Sequence, residues 1–281
     1  MWTNYHTHST YCDGKDSLKD LIAAAGNLRS LGFSSHAPLP LEKSWSMKAE
    51  SFESYLADIR SLQANSSLPI HAGLEVDFIP EVIGPHQFAH LVDYTIGSIH
   101  FVDSFPNGDP WEIDSTTAVF EKGLKEIFRD NIVDAVVRYY ELVREMVDSS
   151  CPTIVGHLDK IKMHNSKATT PYFNETDPWY QNLVDDTLWV IKESGAIVEV
   201  NTRGVYKGRT KTTYPSPWVL LKVREYDIPV TLSSDAHTSR ELSSCFGDAA
   251  LLLMDLGFQE LSILEDGNWN KKRFTTDGIL G

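Results

Sequence analysis

The sequence predicts one α/β domain spanning residues 1–281, folded as a closed or nearly closed (β/α) barrel, and three observations carry that expectation. Short β-branched segments alternate with segments of helical periodicity, seven times along the chain. No linker, internal repeat or low-complexity stretch interrupts the 281 residues, and a composition 42% hydrophobic and 11% aromatic is ample for one core. Histidines and carboxylates recur where strands end, and only a barrel brings all those ends to one mouth; an open doubly wound sheet is the competing topology.

Taken in order, Trp2-Thr3-Asn4-Tyr5-His6-Thr7-His8 reads as the first strand. Side chains alternate faces in an extended chain, so His6 and His8 point one way about 7 Å apart, as half of a metal site or as two solvated histidines near a terminus. Ser17 to Leu31 has Leu18, Leu21, Ile22, Ala25, Leu28 and Leu31 at helical spacing, with Asp16 or Ser17 as N-cap and Gly32 as stop. Phe33 to Ser35 forms a short second strand, ended at His36 because Pro38 and Pro40 forbid its continuation. Glu50 to Ala64 is a helix with Phe52, Tyr55, Leu56, Ile59 and Leu62 on its apolar face, and Pro69 to Phe78 is strand three. A short helix over Gly84 to Leu91 precedes strand four, Tyr94 to Val102, with His100 near its end. Residues 103 to 120, with Pro106, Gly108 and Pro110, read as a long irregular loop and a lid candidate.

Asn131 to Val147 is an amphipathic helix, and Pro152 to His157 is strand five, again ended by a histidine. Residues 164 to 177 are polar and turn-rich, Trp179 to Ser194 is helical, and Ala196 to Asn201 is strand six, followed by Thr202-Arg203-Gly204. Pro217 to Tyr226 is a helix, Ile228 to His237 is strand seven with its loop, and Gly247 to Leu256 is the last helix.

Composition narrows the functions open to such a barrel. A net charge of −14 without a basic run argues against a surface for nucleic-acid backbones and for a small substrate met by a few local cations. Cys12, Cys151 and Cys245 are odd in number and far apart, which suggests no disulfide framework and a reducing compartment. No secretory n-region and h-region and no apolar run of about 18 residues are present, so the cytoplasm is the expected location.

Six of the ten histidines, His6, His8, His36, His100, His157 and His237, fall at strand ends beside Glu75 and Asp235. Any one of them is more readily a hydrogen-bonded core residue, but six at equivalent places are hard to explain that way. Asp235 and His237 repeat the i, i+2 geometry of His6 and His8. Glu75 lies on an otherwise buried strand, where an unpaired carboxylate is costly unless it bridges cations. Nitrogen and oxygen donors without thiolates suit Zn, Mn or Fe in a hydrolytic site of two or three metals.

Parity and reach sort the remaining donors. Asp13, before Gly14, is either a further ligand or an ordinary turn aspartate. His71 lies roughly 13 Å down the strand from Glu75 and belongs to the lower end of the barrel. His86 and His90 are a helical i, i+4 pair on an outer face, and His164 sits in a polar loop, beside the substrate or without a role. Arg203, just past strand six, projects into the mouth, where its two-pronged guanidinium is either a phosphate clamp or a surface charge. Lys160, Lys162, Lys207 and Arg209 are weaker phosphate candidates of the same kind.

Taken together, His6-Thr-His8, Ser-His36-Ala-Pro, Gly-Leu-Glu75-Val-Asp77-Phe, Gly-Ser-Ile-His100-Phe, Val-Gly-His157-Leu-Asp, Asn201-Thr-Arg203-Gly and Ser-Asp235-Ala-His237 resemble the PHP (polymerase and histidinol phosphatase) superfamily, and within it the stand-alone histidinol-phosphatases. The motifs span nearly the whole chain in the family's order. The resemblance implies a distorted (β/α)7 barrel with a trinuclear metal site that hydrolyses L-histidinol phosphate in histidine biosynthesis. It also implies that His6, His8, Glu75 and Asp235 hold one metal and that Glu75 bridges to a second on His100 and His157. By the same resemblance His36, His237 and Asp13 would hold the third.

The chemistry expected is direct hydrolysis, a metal-bridged hydroxide attacking phosphorus in line while Glu75, Asp235, His237 and Arg203 carry the catalytic roles. A site histidine or Asp103 would return a proton to the leaving alkoxide, and Asp109, Glu112 or Asp114 would meet the cationic amino alcohol. Neither an Asp-x-Asp-x-Thr nor a Cys-x5-Arg nucleophile motif is present. Competing readings are a nuclease or nucleotide phosphoesterase, a phosphatase for phosphotyrosine proteins or sugar phosphates, and an inactive metal-binding scaffold. Oligomeric state is not legible.

Overall fold

Continuous apolar runs of four to eight residues are what a strand buried on both faces requires, and they form the wall of the barrel in the structure, a computed structural model that describes residues 1–166, 168 and 170–281. In chain order the first nine strands are β1 (Trp2–Asn4), β2 (Leu28–Phe33), β3 (Ile70–Asp77), β4 (Tyr94–Ser98), β5 (Phe101–Ser104), β6 (Pro110–Glu112), β7 (Ile154–Val155), β8 (Ile197–Asn201) and β9 (Val230–Ser233). Seven of them make one sheet in the order β1-β2-β3-β4-β7-β8-β9, every neighbouring pair parallel. Beyond β1 and β9 the two edges meet: His8 N–H donates to Ala236 O at 2.8 Å and Ala236 N–H to His6 O at 3.1 Å. The sheet is therefore drawn into a nearly closed barrel, and the competing open sheet is excluded.

The helices among the described residues are α1 (Leu18–Ala24), α2 (Phe52–Asn65), α3 (Thr117–Phe128), α4 (Ile132–Ser150), α5 (Pro178–Ser194), α6 (Arg203–Tyr206), which lies at the mouth, α7 (Pro217–Glu225) and α8 (Phe246–Asp255). Their starts follow local capping chemistry. Ser17 and Asp20 form a reciprocal capping box, the Asn131 side chain accepts from the Val133 and Asp134 N–H groups, and Ser216 caps a helix with proline in its first turn. Among the described residues no helix is long and apolar enough to cross a membrane.

Three expectations are corrected. The first helix stops at Ala24, and Leu28–Phe33 pairs as a strand between β1 and β3. Leu28 and Leu31 fit a helical period, but burial along Leu28 and Ser30 to Phe33 is that of an interior strand, and the tertiary pairing prevails. Secondly, the segment expected as an irregular lid is ordered: β5 and β6 form an antiparallel hairpin, and α3 begins at its Thr116 cap. Trp111 is fully buried against Gly123, where a Cβ would overlap the indole, so the hairpin is pinned to the helix. The short helix expected near residue 84 is likewise one 3-10 turn, Pro85–Gln87.

Beyond the elements expected, the C-terminus adds an antiparallel sheet, β10 (Glu260–Glu265), β11 (Asn268–Thr275) and β12 (Gly278–Ile279), which closes the lower end of the barrel. Trp269 stacks edge-on against Tyr5 and Tyr94 at centroid distances of 5.0 and 6.2 Å, and Leu264 N–H donates to the Tyr5 hydroxyl. His71 packs at this end, 5.7 Å from the Tyr5 ring, as its position on β3 requires. Tyr94 fills the space that Gly32 and Gly73 leave open, and a Cβ at Gly73 would fall inside its ring. Gly73→Ala is thus expected to cost about 3 kcal/mol by overpacking, read as a lower urea midpoint with unchanged slope.

Candidate functional site

Each strand of the wall delivers its donors just beyond its last ladder bond. His6, Thr7 and His8 run extended between Ser34 and Ala236, bonded to both, so His6 and His8 point into the mouth together. His36 is bridged to Glu75 of β3, and Ala37 N–H donates to Glu75 O. His100 follows β4 and His157 follows β7, with the His157 N–H held by Glu199 Oε2 at 2.8 Å. After β9, Asp235 takes a left-handed backbone (φ 53°), which costs on the order of 1 kcal/mol in a non-glycine residue and turns the carboxylate back toward the mouth.

All nine sequence-derived donors converge there. They fall into three sets, each spanning no more than 4.8 Å between ligand atoms: His8, Asp13, His36 and His237; His6, His8 and Asp235; Glu75, His100 and His157. Glu75 joins them. Its Oε2 lies 3.1 Å from His6 Nε2, 3.4 Å from His8 Nε2 and 3.1 Å from His36 Nδ1, while Oε1 lies 2.9 Å from His157 Nε2 and 3.7 Å from His100 Nε2. Asp235 Oδ1 is 3.3 Å from His8 Nε2, and Asp13 Oδ2 is 3.0 Å from His237 Nε2. Asp13 is therefore beside the cluster rather than an isolated turn residue. His8 stands nearer to Asp13 and His237 than the ligand division implied by the resemblance requires.

The chemistry of this donor set fits divalent cations. Among the described residues, buried His6 Nε2, His8 Nε2, His36 Nδ1 and Asp13 Oδ1 have no hydrogen bond, although native interiors seldom leave polar atoms unpaired. The three nitrogens face Glu75 Oε2 within 3.4 Å, and Asp13 Oδ1 lies 3.5 Å from His8 Nδ1, so cations held among these groups would satisfy them. The far sides of the rings are held: His6 Nδ1 by Glu199 Oε1 at 2.6 Å, His100 Nδ1 by Asp77 Oδ1 at 2.9 Å, and His237 Nδ1 by Asp235 O at 3.1 Å. Such partners fix the tautomer and raise the basicity of the free nitrogen.

Ionisation follows the packing. Burial pushes Glu75 up, yet the His36 and His6 imidazoles and the His157 hydrogen bond hold it well below the usual carboxylate range. Burial likewise opposes charge on His6, but Glu199, Asp235 and Glu75 raise its pKa well above 6.5. Burial and then neighbouring His237 bring His8 down to about 4, so its ring is neutral near pH 7.

Glu199, Asp77 and Asn201 complete the site and had no assigned role in the sequence reading. Asn201 Nδ2 reaches Glu199 Oε2 at 3.1 Å and Asp235 Oδ2 at 3.3 Å, linking the two carboxylates. The signal was available: Glu199 sits in mid-strand within Ile-Val-Glu-Val-Asn, where a buried carboxylate needs a cationic partner as Glu75 does.

A cleft opens above the donors, walled by Trp45, Glu112, Asp114, Ser115, Lys160, Arg203 and Arg209. Lys160 Nζ lies 3.0 Å from Asp114 Oδ2 and 3.3 Å from His100 Nε2. Arg203 donates to Asp235 O at 2.7 Å, so it braces the left-handed turn while facing the cleft. The other two phosphate candidates lie elsewhere. Lys162 is engaged by Asp159 at 2.7 Å and Thr213 O at 3.1 Å, and Lys207 by Glu241; neither is on the cleft wall. Asp103 is exposed and accepts from its neighbour's N–H, and Asp109 accepts from Asn107, both on the outer hairpin. His86 bonds Ser150, and His164 bonds Ile113 O while stacking on Phe120.

With this geometry in hand, the PHP domain model matches residues 4–203, the stretch that carries every donor except Asp235 and His237. The chain belongs to the PHP domain family. Within that family it is 29% identical over 265 residues to a Deinococcus radiodurans protein named "Probable histidinol-phosphatase", covering 90% of this chain and 92% of that one. It is 26% identical to the histidinol-phosphatase of Bacillus subtilis, over 86% of this chain and 95% of that one. Its fold matches the crystal structure of a histidinol phosphate phosphatase from Lactococcus lactis, complexed with Zn, L-histidinol and phosphate, at a TM-score of 0.70 and 19% identity, over 100% of this chain and 99% of the other.

Proposed function

We propose that residues 1–281 act as one metal-dependent phosphomonoesterase domain that converts L-histidinol phosphate to L-histidinol and phosphate. The observation that carries the reading is the convergence of nine donors on one bridging carboxylate, Glu75, in a PHP chain similar along most of its length to proteins named histidinol-phosphatase. Under this reading His6, His8, Asp13, His36, Glu75, His100, His157, Asp235 and His237 hold two or three divalent ions, Zn, Mn or Fe. Bound there, such ions supply Lewis acidity and lower the pKa of water toward neutrality. The substrate is a small phosphate ester handled in the cytoplasm, rather than nucleic acid or a membrane surface; the free cysteines and the net charge of −14 support this.

The chain's own groups divide the work. Asp235, with His237 3.5 Å away at the cleft, takes the proton released as water adds to phosphorus. Arg203 and Lys160 face the equatorial phosphoryl oxygens and neutralise the charge that grows there. Glu75 keeps the two nitrogen groups on its two oxygens at fixed separation. The bond from phosphorus to the ester oxygen breaks, and the departing alkoxide takes up a proton.

The test is a panel of L-histidinol phosphate, a nucleotide monophosphate and a phosphodiester, each assayed with and without chelator. The first is expected to show a kcat/KM at least about tenfold above the others, and chelation to abolish it. Preference for either of the others, or turnover untouched by metal removal, refutes the reading; metal binding without turnover marks a scaffold.

A further inference from the structure

The histidinol phosphate reading leaves open what recognises the alcohol half of the ester, and the cleft wall separates its acidic groups by what already occupies them. Asp114 is engaged by Lys160 Nζ at 3.0 Å, and that lysine's side chain is only 8% exposed, so its cation is held in place. Glu112 differs. It lies on the cleft wall as Asp114 does, with a side chain 22% exposed against 23%, but its partner is Lys43 Nζ at 2.5 Å, whose side chain is 20% exposed and whose position belongs to the loop between β2 and α2. A lysine at that rim can exchange into water at little cost, since a partly exposed ion pair is worth little.

Beside Glu112 stands an aromatic face. Trp45 lies on the cleft wall, stacks on Phe101 at 5.9 Å with rings 22° apart, and sits 4.6 Å from the His36 ring. An anionic oxygen and an indole face in one cleft, with the donors on its floor, suit an alcohol that carries both an ammonium and a heteroaromatic ring.

Resting on the proposed function, we infer that Glu112 is the specificity residue for the leaving alcohol: the substrate's ammonium takes the place of Lys43 on the Glu112 carboxylate, with its ring against Trp45. Lys43 then swings into solvent, and no bond is made or broken in the exchange. The free enzyme thereby keeps Glu112 neutralised until a cation of the right reach arrives.

The experiment compares two variants on two esters. L-histidinol phosphate and its des-amino analogue, 3-(imidazol-4-yl)propyl phosphate, are assayed with the metal-loaded wild type, Glu112→Gln and Lys43→Met. Wild type is expected to prefer the amino ester, and Glu112→Gln to reduce that preference at least about tenfold, chiefly through KM. Lys43→Met is expected to keep the preference or strengthen it, since the competing cation is gone. The two variants sever the same ion pair, so a merely structural role for it makes them behave alike; equal loss in both, or an unchanged preference in Glu112→Gln, overturns the inference. Circular dichroism melts of both variants separate recognition from misfolding, and a Glu112→Asp variant that restores the preference supports the assignment even where the amide variant folds poorly. If the wild type turns over neither ester but hydrolyses a nucleotide, the proposed function fails and this inference with it. If it turns over both without discrimination, only the inference fails.

Discussion

Glutamine in place of Glu75 is expected to lower kcat/KM on L-histidinol phosphate at least about a thousandfold, equivalent to roughly 4 kcal/mol of transition-state stabilisation. The change keeps the shape and removes the charge. In the wild type the two carboxylate oxygens lie within 3.7 Å of five imidazoles, His6, His8, His36, His100 and His157. An amide offers one acceptor and one NH2 group, so one side of the bridge is lost and a donor is pushed against ring nitrogens. Elemental analysis of the purified variant is expected to show at least one metal fewer per chain than the wild type. A variant with full metal content and near-normal turnover would remove Glu75 from the centre of the mechanism.

The second large effect concerns a residue that touches no proposed metal. Glu199→Gln is expected to weaken zinc binding 10- to 100-fold, because Glu199 orients His6 from behind and increases the basicity of its free nitrogen. The pH dependence supplies a signature. The pKa of His6 is raised well above 6.5, so in the wild type its proton competes with metal at neutral pH, and affinity falls up to tenfold per pH unit as acid is added. Removing the Glu199 charge lowers that pKa and weakens the competition. The deficit of the variant should thus be widest at alkaline pH and narrow toward pH 6, as measured by chelator competition across the range. A deficit independent of pH would assign Glu199 a purely structural part.

The barrel and its donors were legible because both rest on periodicity. His100, His157 and Asp235 follow the ends of short, buried runs that include β-branched residues, His6 follows the first strand, and strand-end placement is a backbone property that the chain writes directly. What stayed hidden depended on partners distant in sequence. Leu28 to Phe33 carries apolar residues that satisfy a helix as well as an interior strand, and only pairing with β1 and β3 decides between them. The hairpin over residues 101–112 looked irregular because its prolines and glycine obscure alternation, while its anchor, Trp111 against Gly123, is a matter of fit. The C-terminal sheet is stabilised by what it covers, the Tyr5 and Tyr94 pair at the barrel base. Lysines resisted assignment for a related reason: Lys160 and Lys162 are two residues apart, yet one faces the cleft and the other is tied to Asp159.

The junction where Ala236 meets His6 and His8 sets a timetable for the protein's birth. Asn4 and Ser234, bonded beside it, are 230 residues apart in sequence. At translation speeds of about 5 to 20 residues per second, the two N-terminal histidines emerge from the ribosome some ten seconds or more before their last companions, and contacts so remote in sequence form late. A nascent chain thus exposes the His6 and His8 pair well before Asp235 and His237 exist, so under the proposed function the metal site is completed only when the last strand docks beside the first.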